Sequence, residues 1–132
     1  EYSTQIIGNI AAGSLAESDT VPSTIYMERP LGKNEYVVRV EGKSMEPLIP
    51  DGSLVIMRRH TVPPIPKPGT IVQYHDERGV TLKKLGRKKN PETGKMEYVL
   101  HPLNPDFGDI EPMDGGKISG IYVETLDRWE KA

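Results

Sequence analysis

Short apolar segments separated by turn-forming residues run along most of this chain. Segments of four to eight residues that are rich in β-branched residues and bounded by Gly, Pro, Asn or Asp are typical of strands. The chain contains five such segments, at residues 36–40, 54–57, 70–74, 80–85 and 118–123, and a shorter apolar segment at residues 98–100. The sequence Asp76-Glu77-Arg78-Gly79 predicts a hairpin between the third and the fourth. The pattern therefore predicts a compact, mostly-β fold.

The first 25 residues differ from the rest. Residues 5–13 are apolar and small, whereas residues 14–23 are polar and contain a proline. Glycine and proline disfavour a helix at these positions. We therefore predict an extended arm or edge strand over residues 1–25, followed by one folded domain over residues 26–132.

Two other segments are predicted to be surface connections. Residues 62–68 contain four prolines, and proline lacks the N–H that a central strand must donate. This segment is expected to be a stiff loop. Residues 86–95 are polar and include the basic run Arg87-Lys88-Lys89, which is typical of a solvated hairpin connection.

Composition and charge exclude several classes of protein. A length of 132 residues favours a single domain, and the formal net charge of −2 argues against a free-standing nucleic-acid binder. No segment approaches the ~20 apolar residues of a membrane span, and the first residues do not resemble a signal peptide. The chain has 0 Cys, which excludes disulfides and thiolate zinc sites. We expect a cytoplasmic location, and the missing initiator Met suggests a fragment of a longer protein.

One serine occupies a turn rich in glycine and proline. Residues 41–55 read Glu-Gly-Lys-Ser-Met-Glu-Pro-Leu-Ile-Pro-Asp-Gly-Ser-Leu-Val, with Ser44 in the first half. A serine hydroxyl is a weak nucleophile unless a base removes its proton. A rigid turn can also direct backbone N–H groups at a developing oxyanion. The plainer alternative is a serine that caps a short helix.

A candidate base lies in an apolar segment further along the chain. Residues 80–85 read Val-Thr-Leu-Lys-Lys-Leu. The pKa of lysine is ordinarily about 10.4, and burial can lower it by roughly 3–5 units. Alternation along a strand sends Lys83 and Lys84 to opposite faces, so at most one can face Ser44. The alternative is that both lysines are solvated.

These motifs resemble those of the LexA, phage-repressor and UmuD family of self-cleaving Ser-Lys peptidase domains. Residues 40–55 contain the family's Gly-x-Ser-Met-x-Pro and Asp-Gly-x-x-Val, and residues 80–85 follow its Val-x-x-Lys-Arg-Leu with Lys84 in the Arg position. The resemblance covers about residues 6–126. It implies a compact LexA-like peptidase fold of twisted antiparallel strands, with Ser44 as the nucleophile and Lys83 as the base.

The resemblance also implies an internal substrate. The family cleaves an Ala-Gly bond, which corresponds to Ala12–Gly13 in this chain. Small side chains suit a scissile bond, and Ile6, Ile7 and Ile10 could anchor the segment before it. The alternative is an ordinary glycine turn at a domain edge.

The partners follow from the same resemblance. It implies a homodimer without a cofactor, whose self-cleavage is stimulated by the activated RecA filament in an SOS-type response to DNA damage. DNA binding would require an upstream helix–turn–helix domain that this chain lacks, and no membrane contact is expected. The expected protein is then the C-terminal domain of a LexA-like transcriptional repressor. Three alternatives remain open: an inactive dimerisation or binding domain of a phage-type repressor, a UmuD-like mutagenesis protein, and a signal-peptidase relative acting in trans.

The spacing of the histidines and of the acidic residues near the C-terminus predicts no metal site. The spacing of the three histidines provides no pair on one face of a helix, and the acidic residues between 106 and 114 do not follow an EF-hand pattern. The histidines are His60, His75 and His101. The acidic residues are Asp106, Asp109, Glu111 and Asp114.

Overall fold

Nine strands form one mixed sheet in the computed structural model, which describes residues 2–11, 23–61 and 63–132. The strands are β1 (Tyr2–Ala11), β2 (Ser23–Met27), β3 (Glu35–Glu41), β4 (Leu54–Arg59), β5 (Ile71–Asp76), β6 (Gly79–Lys89), β7 (Met96–His101), β8 (Lys117–Thr125) and β9 (Trp129–Lys131). Their order in the sheet is β7-β6-β5-β8-β4-β3-β1-β2-β9. No helix occurs in the described ranges, so the prediction of a mostly-β fold is confirmed. Accordingly, none of these residues belongs to a helix long and apolar enough to cross a membrane.

The first strand lies inside the sheet, which corrects the expectation of an edge strand. β1 pairs antiparallel with β2 on one side and parallel with β3 on the other. Its side chains alternate between the core and solvent, with Ile6 and Ile10 buried and Ile7 exposed. Burial of each isoleucine contributes about 1.5–3 kcal/mol, which fixes the face that β1 presents to the core. The division into an arm over 1–25 and a domain over 26–132 remains a prediction.

The far end of β1 meets a strand that is distant in the sheet order. Ala11 pairs with Thr81 of β6 in a parallel arrangement, although four strands separate β1 from β6 along the sheet. Ala11 also pairs with Glu41, the last residue of β3. These parallel pairings depart from the antiparallel sheet that we expected. They place the end of β1 beside both motif-bearing segments.

One of three apolar clusters anchors the segment that follows β3. Met45 and Ile49 are completely buried there, together with Ile10 of β1 and Leu82 of β6. Both the turn and the strand that carry the candidate residues are therefore fixed by the same core. The other two clusters pack around Ile25 and Tyr74.

The connections differ in part from their predictions. β6 continues through Lys89, so residues 86–89 are strand and only residues 90–95 connect it to β7. Gly86 lies within this strand. A larger residue would not fit there because the His101 ring covers the position, where an added Cβ would be 2.2 Å from Nε2. The proline-rich segment is irregular and largely exposed at residues 63–68, as expected, while Val62 lies outside the described residues. The three-residue strand β9 was not predicted.

Candidate active site

Ser44 lies in a non-helical turn between β3 and β4, here called the serine turn (residues 42–53). Gly42 opens it with a φ of 110°, a conformation that side chains disfavour. The Gly42 N–H donates to Asp51 Oδ1 (2.8 Å), which ties the two ends of the turn together. The Ile49 N–H donates to the Met45 carbonyl (2.9 Å). Ser44 is thus held in a closed loop, and the alternative of a helix-capping serine is wrong.

Lys83 lies in the middle of β6 and is almost completely buried, with 1% of its surface exposed. The next residue, Lys84, is exposed. The predicted alternation between the two lysines is therefore observed. Only Lys83 faces the serine turn.

The two predicted residues are in direct contact. Lys83 Nζ lies 2.9 Å from Ser44 Oγ, and the Ser44 side chain is fully buried. Lys83 Nζ also lies 2.8 Å from Thr81 Oγ1 and 3.2 Å from the Leu82 carbonyl oxygen. A neutral amine could donate its two N–H groups to these last two acceptors and use its lone pair to accept the Ser44 hydroxyl proton.

Burial lowers the pKa of Lys83 to about 8 because the charged form loses its hydration. A base with a pKa near the working pH is partly neutral and still basic enough to accept a proton. The site therefore provides a hydroxyl group and a partly neutral amine within hydrogen-bonding distance. This is the arrangement required for base-assisted nucleophilic attack.

A comparison with protein-family models matches residues 5–122 to the family described as Peptidase S24-like. The chain belongs to this family. The match includes Ser44, Lys83 and most of the sheet around them. It confirms the family relationship expected from the motifs and indicates a serine peptidase-type domain. A search among curated proteins gave no match.

The expected scissile bond of this Peptidase S24-like domain, Ala12–Gly13, lies outside the described residues. The structure does describe the strand leading to it, which ends at Ala11 opposite Thr81. Thr81 is two residues from Lys83, and both side chains are buried. The chain thus enters the candidate cleavage segment next to the strand that carries the amine.

Sequence reasoning missed two further residues, one in contact with Lys83 and one in contact with the serine turn. Thr81 shares a strand face with Lys83, so its contact with Nζ could have been inferred from the period of two. Asn104 lies far along the chain, and its side-chain Nδ2 donates to the Lys43 carbonyl (3.0 Å). The Asn-Pro pair at 104–105 signals a turn, but nothing in it indicates which other segment the turn contacts.

Four of the residues considered for metal binding are paired with other side chains. His101 Nδ1 lies 2.7 Å from Asp109 Oδ1, and His75 Nδ1 lies 3.2 Å from Ser119 Oγ. Glu111 pairs with Lys88. Within the part of the chain that the structure describes, no three His, Asp or Glu side chains form a possible metal site.

Burial of Lys83 has a measurable effect on stability. Below pH about 8 the folded protein carries the full cost of a buried ammonium, and this cost disappears as the pH rises towards 10.5, where the unfolded lysine also loses its proton. In a Ser44→Ala variant, deprotonation of Lys83 should raise the free energy of unfolding by about 2–3 kcal/mol between pH 7 and 10. Adding Lys83→Met should remove that gain. Urea denaturation at both pH values measures it, and equal pH dependence in the two variants would contradict a depressed pKa.

Proposed function

We propose that this domain is a serine endopeptidase that cleaves its own Ala12–Gly13 bond with Ser44 and Lys83. The observation that carries the proposal is the 2.9 Å contact between Lys83 Nζ and Ser44 Oγ at a buried site. A lysine is seldom buried without a specific reason. Here its burial gives the amine the lowered pKa that a general base needs.

The reaction proceeds through an acyl-enzyme. Neutral Lys83 accepts the hydroxyl proton as Ser44 Oγ attacks the Ala12 carbonyl carbon, forming a tetrahedral oxyanion. Collapse of this intermediate breaks the bond to Gly13, whose nitrogen leaves as an amine after receiving the proton from Lys83. Water, deprotonated by the same lysine, then hydrolyses the Ser44 ester. The products are a new carboxylate at Ala12 and a new amino terminus at Gly13.

Backbone N–H groups of the serine turn are the candidate oxyanion donors. Among the described residues, no hydrogen bond engages the N–H of Ser44 or of Met45. Preorganised donors of this kind stabilise the charge that develops during acyl transfer without reorganisation. The completely buried Met45 side chain helps to keep this side of the turn dry.

The first strand supplies the substrate in cis. β1 is held by β2 and β3 and ends at Ala11, one residue before the proposed bond. Holding a reacting group in place converts a bimolecular step into an effectively unimolecular one. We expect cleavage to be a first-order process whose rate does not depend on protein concentration.

The wider role is proposed from family membership and resemblance. We propose a cytoplasmic, homodimeric C-terminal domain of a LexA-like repressor, whose cleavage is stimulated by activated RecA during an SOS-type response. A UmuD-like protein without a DNA-binding domain is the second candidate. The dyad contact favours an active peptidase over an inactive dimerisation domain.

Mass spectrometry of protein incubated at alkaline pH tests the proposed reaction. We expect two fragments, one ending at Ala12 and one beginning at Gly13. Their fraction should grow with the same rate constant at tenfold different protein concentrations. An intact chain after prolonged incubation, both alone and with activated RecA filament, would refute self-cleavage. A cut at another bond would refute the assignment of the substrate.

A further inference from the structure

We propose that Asn104 is a positioning residue that fixes the orientation of the backbone on both sides of Ser44. This inference deepens the proposed function and rests on it. Asn104 belongs to the connection between β7 and β8, whose first part (residues 102–109) is here called the Asn104 loop. It is separated from Ser44 by about 60 positions in sequence yet contacts the serine turn directly.

Three donors from this loop bind two consecutive carbonyl groups. The N–H groups of Leu103 and Asn104 both donate to the Ser44 carbonyl oxygen at 2.9 Å. The side-chain Nδ2 of Asn104 donates to the Lys43 carbonyl oxygen at 3.0 Å. These carbonyls belong to the peptide groups immediately before and after the Ser44 Cα. The loop therefore holds both peptide planes that flank the nucleophile.

The geometry of the peptide group links these two carbonyl contacts to the direction of the candidate oxyanion donors. In a planar trans peptide, the C=O and the following N–H point in opposite directions. Binding the Lys43 and Ser44 carbonyls on the side of the Asn104 loop therefore directs the N–H groups of Ser44 and Met45 away from it. These are the same N–H groups that no hydrogen bond engages within the described residues.

The Asn104 loop is itself rigid enough to act as a clamp. Asn104 Oδ1 accepts from the Asp106 N–H (3.0 Å), and the Asn104 carbonyl accepts from the Phe107 N–H (3.1 Å). An asparagine that bonds to the backbone two residues on stabilises a turn. Leu103 packs against the apolar cluster that also contains Met45. Both sides of the contact are thus anchored in one core.

Asn104→Asp removes the hydrogen bond from the side chain to the Lys43 carbonyl. The aspartate keeps an oxygen for the Asp106 N–H, so the turn retains its internal bond. It replaces the Nδ2 donor with a second acceptor that repels the Lys43 carbonyl. Loss of a single oxyanion donor lowers rates by about 10²–10³-fold, and misorientation without loss should cost less. We expect the maximal self-cleavage rate to fall by about 10–100-fold.

Asn90→Asp is the matched control. Asn90 Oδ1 accepts from the N–H groups of Glu92 and Thr93 in the β6–β7 turn. Its side chain therefore also stabilises a local turn, but it does not contact the serine turn. Both variants and the parent are compared by their self-cleavage rates across pH. Asn104→Asp should lower the plateau and move the midpoint to higher pH, because its carboxylate favours the ammonium form of Lys83. The neutral Asn104→Ser should lower the plateau and leave the midpoint unchanged. Asn90→Asp should match the parent.

A fluorophosphonate probe separates this inference from the proposed function. Ser44 Oγ displaces fluoride and forms a bond to phosphorus, and this reaction does not require the Ala12–Gly13 bond. Parent protein that labels at Ser44 but does not cut itself would refute the proposed substrate and leave the role of Asn104 measurable. Labelling of Asn104→Asp should be slower by about the same factor as its cleavage.

Three results would overturn the positioning role. One is an unchanged plateau rate in Asn104→Asp, and another is a shifted midpoint in the neutral Asn104→Ser, which would assign its effect to Lys83. The third is slower cleavage with unchanged labelling, which would assign it to docking of β1. If Asn104→Asp does not unfold cooperatively, Asn104→Ser replaces it. Its hydroxyl can serve the Asp106 N–H but is too short to reach the Lys43 carbonyl.

Discussion

Replacement of Ser44 by Ala or of Lys83 by Met is expected to lower the rate of self-cleavage by at least about 10⁴-fold and 10³-fold, respectively. Ser44→Ala removes the only atom that forms the acyl bond. Lys83→Met keeps a side chain of similar length but has no lone pair to accept the proton from Ser44 Oγ, 2.9 Å away. The rates are measured by mass spectrometry as the appearance of fragments beginning at Gly13.

The same two segments provide controls for these variants. Ser53→Ala removes a hydroxyl at the other end of the serine turn, where it donates to the Pro50 carbonyl (2.6 Å). Lys84→Met removes the neighbouring, exposed amine of β6. Both controls should cleave at rates within about twofold of the parent, since surface substitutions usually change little. Rapid cleavage in Ser44→Ala or Lys83→Met would eliminate the dyad.

The second large effect is the response of cleavage to pH. With a pKa of about 8, Lys83 is roughly 1% neutral at pH 6 and about 90% neutral at pH 9. The rate should therefore rise about tenfold between pH 6 and 7, rise more slowly above pH 7, and level off above about pH 9. The rate should rise with pH, and not fall, because Lys83 can act as a general base only after it has lost its proton.

A full pH profile of the first-order rate constant checks this expectation. Thr81→Val offers a comparison, since it removes an acceptor 2.8 Å from Nζ while keeping the shape of the side chain. Losing an acceptor disfavours the ammonium, so the midpoint in Thr81→Val should move to lower pH. A rate that is flat from pH 6 to 9 in the parent would contradict a lysine base.

The candidate pair could be predicted from sequence because the local signals at both residues coincide with the motifs of the Ser-Lys family that the chain resembles. Ser44 has Gly42 before it and two prolines after it, and Lys83 interrupts an apolar segment in which alternation decides the direction of each side chain. The strands over the same regions were predicted for the same reason. Local composition determines these features, and tertiary packing only brings them together.

The features that sequence reasoning missed depend on contacts between distant segments. The interior position of β1 follows from pairing with β2 and β3, and a strand's neighbours are not encoded in its own pattern. The short β9 is fixed by its pairing with β2 and by Trp129, which packs against the cluster around Ile25. Likewise, Asn104 acts on a carbonyl about 60 positions away. Such relationships exist only in the folded chain.

The interior position of β1 has a consequence for what a cut after Ala12 would produce. The strand would become part of a separate peptide, yet it would still lie between β2 and β3 with Ile6 and Ile10 in the core. β2 and β9 reach the rest of the sheet only across this strand in the described pairing order. Hydrolysis would thus yield a nicked sheet built from two polypeptides, and separation of the products would become a slower, second event. The upstream product would then separate from the domain at a rate that depends on the release of β1 as well as on cleavage of the bond.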